Sequence, residues 1–346
     1  MVLRSLQLKN FRNFSQREIS FLAGKNIVIG NNGKWKSNIL EALSLPVGWM
    51  VESLWQYLLQ RGSDIMYLKY ELSTGTAAYA YDGKSWKKKY FLWEKSTTPA
   101  KLREIYPHVI SFHPMIMNLM YLWPSHRRDF LDGILVSSFP GYSKILSKYK
   151  KVLSSRNKVL KNIALEKSQI SELDFWNETY ITLACEIYKY RKKLISYIQK
   201  SEKTLSQYFF WKVETSAFQY LSKSDLENIE NDLRNYIKNN TAKEILLRKT
   251  LRGPHLDDFD ILVDWTPLIH FASRWEVKSV LLWLKFLETG FIEQESEKKD
   301  IIYIIDDLLS ELDIIHRELL WKHIWTRQCI MTSIEDIEID WNKIYI

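Results

Sequence analysis

The run 25-KNIVIGNNGKWKSNILEALSL-45 passes from an apolar strand through a glycine-bearing loop into a helix, an order that restricts the architecture more than any other part of the chain. Its loop follows the pattern G-x-x-x-x-G-K-[ST] at every position except one. Glycines in that pattern let backbone N–H groups turn inward around phosphates, and the helix that follows adds its N-terminal dipole. Trp35 stands where the second glycine belongs, so its indole would occupy space that the backbone leaves for phosphate.

The intact residues of this loop predict a nucleotide site that uses ATP and Mg²⁺. Lys36 would reach the β- and γ-phosphates, and Ser37 would ligate Mg²⁺. A chance turn of glycine and lysine is a poor alternative, because the loop lies between a strand and a helix. The residues expected around the nucleotide are Gly30, Asn31, Asn32, Gly33, Lys34, Trp35, Lys36 and Ser37.

A second nucleotide motif ends the apolar run 301-IIYIIDD-307, which has the form of a Walker B strand. Asp306 at the carboxyl end of the strand would hold the Mg²⁺ shell, and Asp307 would orient the attacking water. A buried strand that ends in two acids also arises by chance, so this motif is convincing only together with the other nucleotide motifs near it. The segment 310-SELD-313 follows it and matches the D-loop of the ABC and SMC classes of ATPases.

Those classes complete the site with a second subunit, whose S-x-G-[QE] signature reaches the γ-phosphate from a helix N-terminus. The chain carries 272-ASRWEVKSVLLWLKF-286, in which Ser273 and Glu276 fit the signature and Trp275 again replaces glycine. Four motifs in this order are far more specific than any one of them. They predict a homodimer that forms on ATP, with Ser273 and Glu276 as further nucleotide-binding residues.

The periodicity of apolar residues predicts an α/β chain that is split by a helical insertion. Alternating apolar residues predict strands before residue 30 and a small antiparallel sheet around 66–95. Helical periodicity with many charges covers 126–206, which is typical of an antiparallel helical arm. We therefore expect an ABC/SMC-type P-loop ATPase head assembled from both ends of the chain. Its predicted divisions are the N-terminal part of the head at 1–125, the arm at 126–245 and the C-terminal part of the head at 246–346.

The composition describes an ordinary folded protein with a bias towards polyanionic partners. Lys and Arg outnumber Asp and Glu 49 to 41 in 346 residues, and the net charge of +8 favours phosphate-rich ligands. The opening MVLRSLQLKNFRNF has no apolar signal region, and no run approaches the ~18 apolar residues that span a bilayer. Cys185 and Cys329 are too few for a thiolate metal cluster or a disulfide framework. A reducing cytoplasm and no membrane partner are expected.

Three further segments give the chain a family resemblance along nearly its whole length. They are 3-LRSLQLKNFRNF-14, 122-LWPSHRRDFLD-132 and 252-RGPHLDDFDI-261. The chain resembles the bacterial RecF family, the recombination-repair branch of the SMC-like ATPases. The resemblance implies a protein of DNA replication, gap repair and SOS induction that binds single- and double-stranded DNA and dimerises on ATP. It also implies slow, DNA-dependent ATP hydrolysis and cooperation with RecR and RecO type proteins.

Tryptophan replaces family glycines at Trp35, Trp123, Trp265 and Trp275, whereas Trp176 looks genuine. The chain has 11 Gly and 14 Trp. About 24 glycines are expected at a typical ~7%, so the shortfall nearly equals the number of tryptophans. Decay of an unused gene would scatter varied substitutions. Because UGA lies one base from the tryptophan codon UGG and the glycine codon GGA, and some bacteria read UGA as glycine, we hypothesise that the native organism inserts glycine where tryptophan stands here.

Two other interpretations stay open. In the first, Trp35 and Trp275 are genuine and the chain is a degenerate DNA-binding module without ATP hydrolysis. If both positions are glycine in the native protein, the chain is instead expected to be a weak DNA-dependent ATPase. UGA codons at positions 35, 123, 265 and 275 favour misreading, and UGG codons favour the degenerate module. An SMC-like nuclease of the overcoming-lysogenisation-defect type shares the N-terminal motif. It would need a metal-binding Toprim domain after the ATPase, and the chain ends shortly after 310-SELD-313.

Overall fold

The computed structural model describes residues 1–31, 35–47, 55–113, 115–208, 215–297, 300–308, 312, 314–334, 336 and 340–346. Contacts divide the chain into two compact units. The first unit joins Met1–Met117 with Ser296–Ile346, and the second is Asn118–Glu295. The first unit is therefore assembled from both ends of the chain, as the sequence predicts.

The helices and strands follow the predicted order of elements. The first unit opens with β1 Leu3–Phe11, β2 Phe14–Ser20, β3 Lys25–Ile29, α1 Lys36–Ser44, α2 Trp55–Leu58, β4 Ile65–Leu72, β5 Gly75–Asp82, β6 Lys87–Leu92, β7 Lys95–Thr97, α3 Pro99–Ile105 and β8 His108–Phe112. The second unit contains α4 Pro124–Ser138, α5 Tyr142–Ile163, α6 Leu173–Lys200, β9 Ser216–Leu221, α7 Ile229–Leu247, β10 Asp258–Val263, β11 Thr266–Pro267 and α8 Arg274–Glu295. The first unit resumes with β12 Ile301–Ile305, α9 Ile314–Ile324, β13 Gln328–Ser333 and β14 Asn342–Tyr345.

One sheet of the first unit is antiparallel, with the strand order β2-β1-β4-β5-β6-β7. In β4, Met66, Leu68 and Tyr70 are fully buried, while the residues between them are partly exposed. This period of two places one face of the sheet on the core and the other towards solvent. The antiparallel sheet predicted around 66–95 is confirmed.

The other sheet of the first unit is parallel, with the strand order β14-β3-β13-β12-β8. Its strands β12 and β13 are buried along their full length, as expected for a parallel sheet that is covered on both faces. Backbone pairing aligns Ile29 with Ser333, and Ile305 with both Met331 and Phe112. The carboxyl ends of these strands therefore meet at one edge, which is where open parallel sheets bind ligands.

The second unit packs helices around a sheet with the strand order β11-β10-β9. The long helices α5 and α6 pack against each other and form the predicted antiparallel arm. Helix α8 packs against α4 and α6, so contacts group 246–295 with the arm helices. The sequence assigned that segment to the head, and the three-part division stays a prediction. Within the described residues, every helix is too short or too polar to cross a bilayer.

The two family-like boxes of the second unit, 122–132 and 252–261, are joined by arginine side chains. Arg127 donates from Nε and Nη2 to the two carboxylate oxygens of Asp258, at 2.6 and 2.7 Å. Arg128 donates to the carbonyl oxygen of the residue before that aspartate, at 2.8 Å. Guanidinium forks match carboxylates in this bidentate way and fix both partners in orientation. The boxes therefore hold α4 against β10.

Among the described residues, Trp35, Trp86, Trp93 and Trp265 have a left-handed backbone, with φ angles of 64, 57, 48 and 67°. Glycine adopts this conformation freely, whereas a residue with a Cβ pays about 1–2 kcal/mol of steric strain. All four side chains are half-exposed or more. The backbone thus supports glycine at Trp35 and Trp265, and it adds Trp86 and Trp93 to the positions where glycine fits better.

Other tryptophans occupy ordinary positions. Trp55 and Trp283 are buried, and the indole N–H of Trp283 donates to Thr204 at 2.9 Å. Trp123 precedes α4 with a φ of −63°, and Trp275 lies in the first turn of α8. The backbone conformation of Trp123 and of Trp275 does not require glycine, so a glycine at either position would have a role other than relief of backbone strain.

Replacing Trp265 by glycine should stabilise the second unit by about 1 kcal/mol. Asp264 and Trp265 form the two-residue turn between β10 and β11, and both have positive φ. Such a type I′ turn favours Asp-Gly. The relief of left-handed strain, about 1–2 kcal/mol, exceeds the roughly 0.5–1 kcal/mol that glycine's chain entropy costs. Denaturant or thermal unfolding measures the difference.

The Trp275→Gly variant is the matched control, because its tryptophan is also exposed but lies in a helix. Glycine in a helix costs about 0.5–1 kcal/mol, so this change should lower stability. Destabilisation by Trp265→Gly would contradict the assignment of strain to the turn.

Candidate nucleotide site

Lys36 follows the loop after β3, and its side chain hydrogen-bonds to backbone carbonyl groups at the start of that loop. Lys36 Nζ donates to the carbonyl oxygens of Gly30, at 2.6 Å, and Asn31, at 3.2 Å. The lysine is buried, so these carbonyls offset the desolvation of its ammonium group. The N–H of Gly30 donates to the carbonyl oxygen of Ser333, which anchors the loop at the edge of the parallel sheet. A positive charge therefore lies at the base of the phosphate loop.

Trp35 stands directly before α1, with φ 64° and ψ 20°. Its carbonyl oxygen accepts the N–H of Asn38 at 3.0 Å, and half of its side-chain surface is exposed. Glycine would keep this backbone without the indole. The position therefore has the local geometry that the phosphate-loop pattern assigns to glycine.

Parts of the predicted motifs lie outside the described residues. In the phosphate loop these are Asn32, Gly33 and Lys34, and in the D-loop they are Ser310, Glu311 and Asp313. Leu312 of the D-loop is described and buried, and its carbonyl oxygen accepts Arg317 Nε at 2.8 Å. The roles predicted for the other D-loop residues stay predictions.

The structure brings Ser37 and Asp306 together. Ser37 Oγ donates to Asp306 Oδ1 at 3.1 Å, although 269 positions separate the two residues in the chain. Thr332 Oγ1 donates to the same oxygen at 2.8 Å. Mg²⁺ prefers oxygen ligands and takes one or two carboxylates together with substrate phosphates. A hydroxyl and a carboxylate beside the phosphate loop therefore fit Mg²⁺.

Asp307 follows β12 with a left-handed backbone, at φ 47°. Its N–H donates to Thr332 Oγ1 at 3.0 Å, so one hydroxyl contacts both acidic residues. The sequence pattern identified the two acids and missed Thr332. The threonine carries no motif of its own, and only the parallel pairing of β12 with β13 places it beside Asp306.

A groove of about 470 Å³ adjoins the Ser37–Asp306 pair, and Arg12 lines it. Arg12 Nε donates to Glu41 of α1 at 2.8 Å, and Nη1 donates to the carbonyl oxygen of Tyr57 at 3.0 Å. Sequence reasoning gave Arg12 no role, although it lies in the turn after β1 within the opening family-like segment. The pairing with Glu41 ties that turn to the helix that begins at the phosphate loop.

The predicted signature lies at the N-terminus of α8 in the second unit. The N–H and Oγ of Ser273 both donate to Glu276 Oε2 at 2.7 Å, and the N–H of Glu276 donates back to Ser273 Oγ at 3.3 Å. This reciprocal pair is a capping box. Trp275 lies between them, and Lys278 Nζ is 5.0 Å from its ring centroid. Ser273 thus stands at a helix start, and its role towards a nucleotide stays a prediction.

Known proteins resemble the chain over most of its length. A family model described as an AAA domain matches residues 5–54, which contain the phosphate loop. The DNA replication and repair protein RecF of Gloeobacter violaceus is 27% identical over 345 residues, covering 96% of this chain and 92% of that protein. The RecF of Streptococcus gordonii is 31% identical over 329 residues, covering 90% of this chain and 88% of that protein. The chain belongs to the RecF family.

Solved structures place the fold of this RecF family member among the ATPase heads. The structure of the recombination mediator protein RecF-ATPrS in the RecFOR pathway has a TM-score of 0.86 at 22% identity, covering 99% of this chain and 95% of that chain. The SmcHead bound to the C-winged helix domain of ScpA has a TM-score of 0.52 at 13% identity, covering 97% and 90%. The expected RecF resemblance and the expected α/β fold of the ABC/SMC type are both confirmed.

Proposed function

We propose that this member of the RecF family is an ATP-dependent DNA-binding protein of recombinational repair, acting in replication, gap repair and SOS induction. The observation that carries the proposal is the contact between Ser37 and Asp306 beside the phosphate loop, at 3.1 Å. Such a pair supports Mg²⁺-dependent nucleotide binding. The relatives are named DNA replication and repair proteins, which supports the same assignment. RecR and RecO type proteins are the protein partners we propose.

The nucleotide site would work through groups that the first unit already holds together. Lys36 would exchange its carbonyl partners for β- and γ-phosphate oxygens, while Ser37 and Asp306 would hold Mg²⁺. Bound Mg²⁺ supplies neutralisation of phosphate charge. Asp307 would orient and polarise the attacking water, and accept its proton as the water attacks the phosphate. This arrangement supports weak ATP hydrolysis, and we propose that the hydrolysis depends on DNA.

A second copy of the chain would complete the site. Ser273 lies at the N-terminus of α8, where helix N–H groups favour anions, and its hydroxyl would reach the γ-phosphate held by the other copy. Glu276 fixes that serine through the capping box. ATP would thereby join two copies into a homodimer.

Glycine at Trp35 and Trp275 is part of the proposal, because phosphate must approach both backbones closely. The left-handed φ of Trp35 supports glycine independently of any ligand. The helical backbone of Trp275 gives no such support, so its glycine rests on the signature pattern alone. We call the variant with glycine at both positions the glycine-restored protein.

The arm helix α5 supports contact with DNA. Lys144, Lys148, Lys151 and Lys158 are all exposed and recur at spacings of four, three and seven residues, which places them on one face of the helix. Contacts with phosphates position a protein on DNA without reading its sequence. The arm would therefore bind single- and double-stranded DNA with little preference for base sequence.

DNA binding by the glycine-restored protein should weaken steeply with added salt, because each phosphate contact releases counterions. Each contact contributes about 0.9 to the slope of log affinity against log salt on duplex DNA. Replacing the four α5 lysines by glutamine should lower that slope by roughly 3 to 4. Fluorescence anisotropy at several salt concentrations measures it. Lys150→Gln changes an exposed lysine on another face of α5 and should have little effect.

ATP should strengthen DNA binding by avidity, because a dimer presents two basic arms to one duplex. Ser273→Arg should remove this ATP effect and leave the salt slope of the monomer intact. A flat salt response would contradict the electrostatic basis of the proposal. If ATP leaves the affinity for DNA unchanged, the claim that dimerisation strengthens DNA binding is contradicted.

A further inference from the structure

Thr332 connects the two acidic residues of the candidate nucleotide site through one hydroxyl group. Thr332 Oγ1 donates its proton to Asp306 Oδ1 at 2.8 Å and accepts the backbone N–H of Asp307 at 3.0 Å. A hydroxyl has one proton and two lone pairs, so these two bonds fix its direction. The same hydroxyl therefore fixes the orientation of the Asp306 carboxylate and of the Asp307 backbone.

The surroundings of Thr332 make this hydroxyl rigid. Thr332 is buried near the end of β13, one position beyond the residue that pairs with Ile305. Its branched Cβ restricts χ1, and burial removes the water that could replace its hydrogen bonds. On the opposite side, the N–H of Asp306 donates to the carbonyl oxygen of Phe112 at 2.8 Å. Neighbouring strands thus hold the segment that follows β12 from both sides.

Asp307 needs such support because its backbone is left-handed, at φ 47°. Residues other than glycine hold this conformation where the surroundings determine it. The bond from its N–H to Thr332 is a direct constraint on that backbone. Without the hydroxyl, the N–H of Asp307 would lose this hydrogen bond and the chain after Asp306 would relax.

We propose that Thr332 is a positioning residue of the nucleotide site, which holds Asp306 in the direction required for Mg²⁺ and Asp307 in the direction required for water. The proposal rests on the proposed ATP-binding function and names a residue that acts on it through other side chains. Groups that orient metal ligands typically change metal affinity by about 10- to 100-fold when they are removed.

The test compares Thr332→Val, which keeps the shape and loses the hydroxyl, with Thr332→Ser, which keeps the hydroxyl. In the glycine-restored protein, valine should weaken ATP binding about 10-fold or more in Mg²⁺ and change it little in EDTA. Hydrogen exchange at the Asp307 amide should quicken in the nucleotide-free valine variant. Serine should restore both properties. Thr289→Val alters another buried threonine, whose hydroxyl bonds a helix carbonyl, and should change neither.

Equal loss of ATP affinity with and without Mg²⁺ would overturn the proposal, as would unchanged affinity and unchanged exchange in the valine variant. Failure of serine to restore the parent behaviour would also overturn it. If the parent binds no ATP, the proposed function is contradicted. The exchange rate at Asp307 then still decides whether Thr332 holds that amide.

Discussion

Replacing Lys36 by methionine should abolish measurable ATP binding by the glycine-restored protein. Methionine keeps the unbranched shape of lysine and removes the ammonium group that would bond the β- and γ-phosphates. Hydrogen bonds to charged groups contribute about 1.5–3 kcal/mol each, so the loss of two corresponds to roughly 100-fold or more in affinity. Isothermal titration calorimetry with ATP and Mg²⁺ measures the change.

Lys101→Met is the matched control, because Lys101 is an exposed lysine of α3 in the same unit. It should leave ATP affinity unchanged. If Lys36→Met binds ATP as tightly as its parent, the bonds of Lys36 to Gly30 and Asn31 serve the loop alone and the phosphate role is wrong.

Asp307→Asn should remove ATP turnover while ATP affinity and the ATP-dependent dimer persist. The amide has the shape of the carboxylate, and the backbone bond from residue 307 to Thr332 does not involve the side chain. The charge that orients and activates water is lost, which should slow hydrolysis by about 100- to 1,000-fold. Single-turnover phosphate release measures the chemical step apart from product release.

Asp174→Asn, in the exposed first turn of α6, controls for the loss of one negative charge and should not alter turnover. An equal loss of affinity and turnover in Asp307→Asn would place Asp307 among the binding groups. The degenerate-module interpretation expects no turnover in the chain that carries Trp35 and Trp275.

The sequence predicted the local part of the site because that part is continuous in the chain. The apolar run at 25–29 and the loop pattern after it predict β3 and α1, and both are present, at Lys25–Ile29 and Lys36–Ser44. The meeting of Ser37 with Asp306 was also predictable. Two parallel strands that each end in a motif bring those motifs to one sheet edge.

Contacts that depend on strand register were not predictable from local pattern. Asp306 and Thr332 are 26 positions apart, and Arg12 and Glu41 are 29 apart. A shift of one residue in the pairing of β12 with β13 would turn Thr332 to the opposite face. The contact of Arg12 with Glu41 depends on how the turn after β1 packs against α1. No motif marks the threonine, and Arg12 lies in the opening family-like segment without a role that the sequence assigns to it.

The sequence groups 246–295 with the head, whereas contacts group α8 with the arm helices, and the three-part division stays a prediction. The signature motif at 272–286 indicates a helix N-terminus and does not show which core the helix joins. In the structure, α8 packs against α4. In contrast, glycine was expected at Trp35 from the phosphate-loop pattern and at Trp265 from the family resemblance, and both expectations agree with the positive φ angles of these residues. Trp86 and Trp93 lie outside any motif, so only backbone geometry reveals them.

The most direct measurement is the affinity for ATP in Mg²⁺ of two chains that differ only at residue 35, with the identity of that residue verified by mass spectrometry. The chain with Trp35 should bind ATP too weakly to measure, because the indole would occupy the space that the loop pattern leaves for phosphate. The Trp35→Gly chain should bind one ATP per subunit, with an affinity that falls when Mg²⁺ is removed. Tight binding by the Trp35 chain would contradict the steric role of the indole, and no binding by either chain would contradict the nucleotide site itself.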